Sequence, residues 1–187
     1  MEPVRATIER YVVLSDAEWE EVAACWQERI FQKGAVITAT DQVEAWFSIV
    51  KEGVQRIYFE HDGVEACIGF AYGGSWSGVY DSFISQTPSR FVLQAVSHTV
   101  LFSIGYADLQ RLYKQFPVME RFGRLLLEEV VVARATREVE QFTMGAQERY
   151  DRLMARSPHL LQLVPQKDIA SYLGMSAETF SRLRARR

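Results

Sequence analysis

Hydrophobic positions recur along the chain with two different periods, and the switches between them divide it. Ser15-Asp16-Ala17-Glu18 is a capping box, with Ser15 as N-cap and Glu18 three residues on. Trp19, Val22 and Trp26 follow at three- and four-residue steps, so the spacing predicts an amphipathic helix to about Gln27. After the Lys33-Gly34 turn the texture changes to short runs rich in Val, Ile, Phe and Tyr, over 35–38, 46–51, 54–60, 64–70, 91–96 and 100–103. Gly53, Asp62-Gly63 and Gly73-Gly74-Ser75 punctuate them, and His61-Asp62-Gly63 marks a hairpin. Many short strands with close turns predict a sandwich or jelly roll.

From Gly105 the helical period returns. A short helix is expected over Ala107–Gln115, stopping before Pro117, and a long one from Pro117 to about Phe142. Phe122, Leu126, Val130 and Ala133 form its apolar stripe, which Leu125, Val131 and Val132 broaden. A stripe this broad predicts two buried faces, one on the β-domain and one on a second copy of the chain, with Phe122, Leu126, Val130 and Ala133 at the dimer interface. The alternative is a core helix of a single chain. Gly145 marks a hinge, and helices over 146–156 and 160–162 lead to the end of the chain.

The last two dozen residues fit a helix-turn-helix. Pro165 suits a first helical position, Ile169, Ala170 and Leu173 recur at helical spacing, and Gly174 supplies the turn. Ser176 caps the next helix, which keeps Thr179, Phe180 and Leu183 on one side and carries Arg182, Arg184, Arg186 and Arg187. Two short helices with a basic second one form the geometry that enters a major groove. The other reading is an ordinary helical hairpin with a solvated basic tail.

Composition changes this picture little. With 187 residues, 48% hydrophobic and 24% charged, the chain reads as a globular protein, and it has neither an apolar run long enough to span a membrane nor a signal-peptide pattern. A cytoplasmic location follows. The two cysteines, Cys25 and Cys67, read as small buried hydrophobes. Charge is more telling: the net −3 divides into +4 from Glu148 onward and −7 before it. An acidic body with a basic end directs only the terminal module toward phosphates.

In this order, a capped helix, a Gly-punctuated β-roll, one long helix and a terminal helix-turn-helix resemble the Crp/Fnr family of bacterial transcription regulators. The resemblance covers nearly the whole chain and is most specific over 164–182, then at the Lys33-Gly34 and Gly53 turns and over 73–90. It implies an α+β fold: a cyclic-nucleotide-binding-like sensor roll over 1–116, a dimerisation helix over 117–144 and a DNA-binding helix-turn-helix over 145–187. It also implies a homodimer on double-stranded DNA, with RNA polymerase as a partner. The family's recognition helix opens with a Ser or Thr cap and Arg-Glu-Thr, with a further Arg near its middle. Here Ser176, Glu178, Thr179 and Arg182 match, and Ala177 replaces the first Arg. An Arg fork reads guanine and a Glu accepts from cytosine, so Arg182 and Glu178 can discriminate bases, while Ala177 can only touch a thymine methyl. Gln166, Lys167 and Ser176 are expected on phosphates, as are Arg186 and Arg187 near the free end. For Glu178, simple alignment with the helix dipole is the competing role.

Two departures bear on the sensor and on the end of the chain. Cyclic-AMP-binding members carry Gly-Glu at the start of a short helix and an Arg-Ser or Arg-Thr pair before the next strand; here the first is Gly74-Ser75. Alignment back from Ala95 puts Ser89 at the phosphate-binding Arg, with Arg90 one residue late and on the opposite strand face unless the register shifts. A small-molecule effector other than cyclic AMP is therefore expected near Gly74, Ser75, Trp76, Ser89 and Arg90, with no cofactor assigned. Only five residues follow Arg182, so the reading includes no β-hairpin wing, either as a property of the subgroup or because the sequence is cut short.

Other constellations are weak. His61, His98 and His159 stand alone, with no metal-ligand spacing. Residues 73–78 lack the Gly-Lys-Ser/Thr of a phosphate loop, and 74–78 place Ser wrongly for a nucleophile elbow. With no nucleophile–base pair, the sequence argues against an enzyme. It leaves two functions: a homodimeric, effector-sensing DNA-binding regulator, or a ligand-binding or protein-interaction module that no longer binds DNA.

Overall fold

The computed structural model describes residues 1–185. The expected capping box forms: the Ser15 hydroxyl accepts from the Glu18 N–H and the Glu18 carboxylate accepts from the Ser15 N–H. The helix it opens, α2 (Asp16–Ala23), follows an unanticipated α1 (Glu2–Ile8) and ends earlier than the periodicity suggested. Trp26 belongs instead to β1 (Trp26–Phe31), the edge strand beside β8 (Thr99–Gly105). Its exposed Gln27, Glu28 and Ile30 are those of an edge, which gives too little apolar alternation to read as a strand.

The remaining strands are β2 (Val36–Thr38), β3 (Trp46–Glu52), β4 (Val54–His61), β5 (Val64–Tyr72), β6 (Trp76–Ser77) and β7 (Phe91–Ala95). They form two four-stranded sheets, ordered β1-β8-β3-β6 and β2-β7-β4-β5, with every pairing antiparallel. A short helix, α3 (Tyr80–Ser85), connects β6 to β7 within the aromatic segment. Its Asp81, Ile84 and Ser85 are exposed, so only a narrow strip of apolar residues marks it in the sequence.

After the roll come α4 (Tyr106–Gln115) and the long α5 (Pro117–Thr143), with Pro117 in the first turn, where its missing N–H costs nothing. The main core lies between the β1/β3/β8 face and helices α1, α2, α4 and α5, around Val22, Phe47, Ile104, Leu112, Met119 and Phe122. Phe122 and Leu126 are 0% and 4% exposed. Both were expected on a dimer seam and instead fill the chain's own core. The second half of the stripe, Val130 and Ala133, emerges toward solvent as the roll ends.

A second core unites the terminal helices: α6 (Ala146–Arg156), α7 (Leu160–Leu163), α8 (Gln166–Tyr172) and α9 (Ala177–Ala185). Tyr150, Leu153, Ile169, Leu173, Phe180 and Leu183 fill it, with Val54 of β4 reaching in from the roll.

Candidate nucleic-acid interface

Helices α8 and α9 are joined by a left-handed residue. Gly174 has φ +64, its N–H donates to the Ser171 carbonyl at 2.9 Å, and the Met175 N–H donates to the Ala170 carbonyl at 3.0 Å. These bonds are the Schellman pair that closes a helix and turns the chain sharply. Ser176 then caps α9 by accepting from the Thr179 N–H at 3.2 Å. Phe180 points inward and meets Tyr150 edge-on, with ring centroids 5.7 Å apart, and Leu183 follows on the same side. That anchoring turns Ala177, Glu178, Ser181, Arg182 and Arg184 outward, all exposed.

Glu178 and Arg182 sit one turn apart on the open face. Thr179 is half-buried and less free than the sequence suggests: its hydroxyl accepts from Ser176 and, at 3.2 Å, from one Arg182 nitrogen. Arg182 keeps most of its donors for another acceptor. Gln166 and Lys167 are exposed on the first turn of α8, where backbone N–H groups are unpaired and anions are favoured. Pro165 is the residue before that turn rather than within it. Arg186 and Arg187 lie outside the described residues.

Two arginines near the turn have structural roles, one of them, Arg149, from the basic segment after Glu148. Arg149 donates to the carbonyls of Met144, Leu173 and Gly174, at 2.6, 2.8 and 3.4 Å, and so ties the α8–α9 turn to the end of α5. Arg137 of α5 donates to the Tyr172 carbonyl at 2.9 Å, with its guanidinium 3.6 Å from the centroid of the Tyr172 ring.

The opposite side of α8 rests on the roll. The Ser171 hydroxyl accepts from the Cys67 N–H at 2.9 Å, and Asp168 accepts from Arg56 at 2.8 Å. Both ends of that ion pair are buried. Arg56 also donates to both Glu65 oxygens and, through two nitrogens, to Gln94, so all five N–H groups are engaged. Burial alone would lower the Arg56 pKa, but the bonds to Glu65 and the charges of Asp168 and Glu65 raise it. Sequence reading missed both Arg56 and Asp168. An Arg set between Val54 and Ile57 in a β-run was the available signal, since such a charge is buried only with partners.

No protein-family model matches this sequence. The nitrogen fixation regulation protein FixK of Bradyrhizobium diazoefficiens is 27% identical over 181 residues, covering 90% of this chain and 75% of that protein. Among solved structures, FixK2 from Bradyrhizobium japonicum superposes with a TM-score of 0.71 at 19% identity, over 86% of this chain and 83% of that one. A CooA mutant from Carboxydothermus hydrogenoformans gives 0.68 at 16% identity, over 88% and 77%. The fold is of the Crp/Fnr type. The α+β roll and terminal helix-turn-helix expected from the sequence are the architecture it shares with these proteins.

Against that type, the sensor positions part company. Gly74 is an exposed turn residue, and Ser75 closes the same turn by accepting from the Tyr72 N–H at 3.4 Å. Trp76 is core: it stacks on Phe47 with centroids 4.9 Å apart. Ser89 is buried, yet both bonds of its hydroxyl go to the backbone of Phe91. Arg90 points into solvent, 3.3 Å from Asp81, so the inward reach considered for it does not occur. The five therefore form no common pocket. Inside the roll, Glu44 accepts from the Thr38 hydroxyl at 2.6 Å and from the N–H groups of Trp46 and Val79, while the buried Gln55 Nε2 and Arg29 Nη1 have no hydrogen-bond partner among the described residues. His61, His98 and His159 remain scattered, and among the described residues no group of three or more His, Cys, Asp or Glu could hold a metal.

Proposed function

We propose that this chain is a sequence-specific DNA-binding transcription regulator that acts as a homodimer, with α9 entering the major groove. The single observation that carries the reading is the exposed Glu178–Arg182 face, held outward by Phe180 and Leu183. Gln166, Lys167 and Ser176 would position the module on phosphates, while Arg182 and Glu178 discriminate bases. Residues 1–116 would sense, 117–144 dimerise and 145–187 read DNA. The effector is not cyclic AMP on this reading: Ser75 stands where the ribose carboxylate would be, and Arg90 is turned away from the roll. RNA polymerase contact and a cytoplasmic setting follow from the same role. No helix among the described residues is long and apolar enough to cross a membrane.

The test is selection of a preferred duplex from a random library, followed by titration of that duplex at rising salt. The proposal requires an enriched half-site repeated about one helical turn apart and an affinity that falls log-linearly with salt. Failure to enrich any sequence, with no binding at low salt, would leave the interaction-module reading.

A further inference from the structure

A cavity of about 120 Å³ lies among β3, α3, α4 and α5; none of Gly74, Ser75, Trp76, Ser89 and Arg90 lines it, although Trp76 stacks on its wall residue Phe47. Its walls are apolar: Phe47, Phe83, Leu109, Leu126 and Val130 contribute, with Ile84 exposed at the rim. No Lys, Arg, Asp or Glu lines it, and the polar groups available are the phenols of Tyr80, Tyr106 and Tyr113 and the Gln110 amide. The Tyr80 and Tyr113 hydroxyls make no hydrogen bond with any described residue. Burial pushes Tyr113 up to about 12 and raises Tyr80 further, so both stay protonated as donors at neutral pH.

The site depends on one glycine. A Cβ at Gly123 would lie 2.4 Å from the Tyr113 hydroxyl, so a larger residue there would push the end of that ring aside and reshape the cavity. An apolar cavity of similar size, about 150 Å³, stays dry and takes up benzene. Phenol hydroxyls without a protein partner are free to donate to an oxygen that enters the cavity.

We infer that this cavity is a binding site for a small, neutral, flat molecule with a hydrogen-bond-accepting oxygen, of the class of an aryl ketone. The apolar walls accept the ring, and Tyr80 and Tyr113 donate to its oxygen. A carboxylate or phosphate is excluded because nothing in the lining would compensate its charge. The occupant would press on Gly123, Leu126 and Val130 of α5, the helix whose Arg137 and Gln141 both donate to the Tyr172 carbonyl at the end of α8. Movement of α5 is thereby passed to the α8–α9 unit. That consequence rests on α9 reading DNA, whereas the binding does not.

Acetophenone, toluene and benzoate are the probes, titrated calorimetrically into the full chain without DNA. Acetophenone and toluene should bind saturably at one per chain, acetophenone the tighter, with benzoate more than about tenfold weaker. Ile84→Trp, at the exposed rim, should abolish both. Tyr113→Phe, which keeps the ring, should weaken acetophenone about 2- to 10-fold and leave toluene within about twofold. No binding of acetophenone up to its solubility would overturn the site. Equal binding of benzoate, or undiminished binding by a folded Ile84→Trp chain, would do so too. Because DNA is absent throughout, a failure here leaves the DNA-reading proposal to its own test.

Discussion

Arg56 shows how a single side chain can decide where two modules meet. It is buried on β4, lies 4.2 Å from the Tyr58 ring centroid, and spends its five donors on Gln94, Glu65 and Asp168. Removing one partner of such a buried pair leaves an uncompensated charge, the costly way to break it. Glu65 feels the same guanidinium: its bond to Arg56 holds the carboxyl below the usual glutamate range against the opposing effect of burial. A depressed carboxyl contributes stability that is present above its unfolded pKa, about 4.3, and is lost as pH falls through the folded value. The gap in thermal stability between wild type and Glu65→Gln should therefore be full at pH 7 and close as pH drops below about 4. A gap that stays constant to pH 3 would show that Arg56 does not stabilise the charged form. Residues of this kind were hard to read in the sequence. Asp168 looked like one more acid in a basic segment, and only the packing of α8 on β5 gives it Arg56. The outward face of α9 was legible, because Phe180, Leu183, Glu178 and Arg182 are assigned sides by helical spacing alone.

Among the elements, α5 carries the clearest correction. Its first half is sealed into the core at Met119, Phe122 and Leu126, but Leu127, Val131, Val132, Val139 and Phe142 are exposed, Phe142 at 83%. Leu127, Val131, Ala135, Val139 and Phe142 step by four, four, four and three residues, so they share one apolar face of the helix. If the chain dimerises, that row and not Phe122–Leu126 is the face that meets the partner. Leu127→Lys with Val131→Lys should yield folded monomers by light scattering at micromolar concentration. Wild-type monomers under those conditions would remove the seam. Periodicity alone could not separate the two faces, since α5 is apolar on both and only the placement of the roll decides which is inside. The loss of β1 to a predicted helix has a similar cause: Trp26 falls in register with Trp19 and Val22, and an edge strand offers no alternation to compete.

At the scale of the whole molecule, the terminal helix-turn-helix and the roll are one connected body. Helix α8 is clamped to β4 by Asp168 and to β5 by Ser171, its end is held by Arg137 and Gln141 of α5, and Arg149 fastens the turn before α9. The order of these parts could be read from the sequence, because changes of period and glycine punctuation mark each junction. The clamps could not, since each joins residues far apart in the chain. What all of them hold outward is Arg182. The most direct test is therefore a titration of wild type and Arg182→Ala on the selected duplex and on a scrambled one. The loss should be about 1–3 kcal/mol on the selected duplex and much smaller on the scrambled one. Equal losses on both would make Arg182 a phosphate contact, and no loss on either would contradict α9 as the helix that reads DNA.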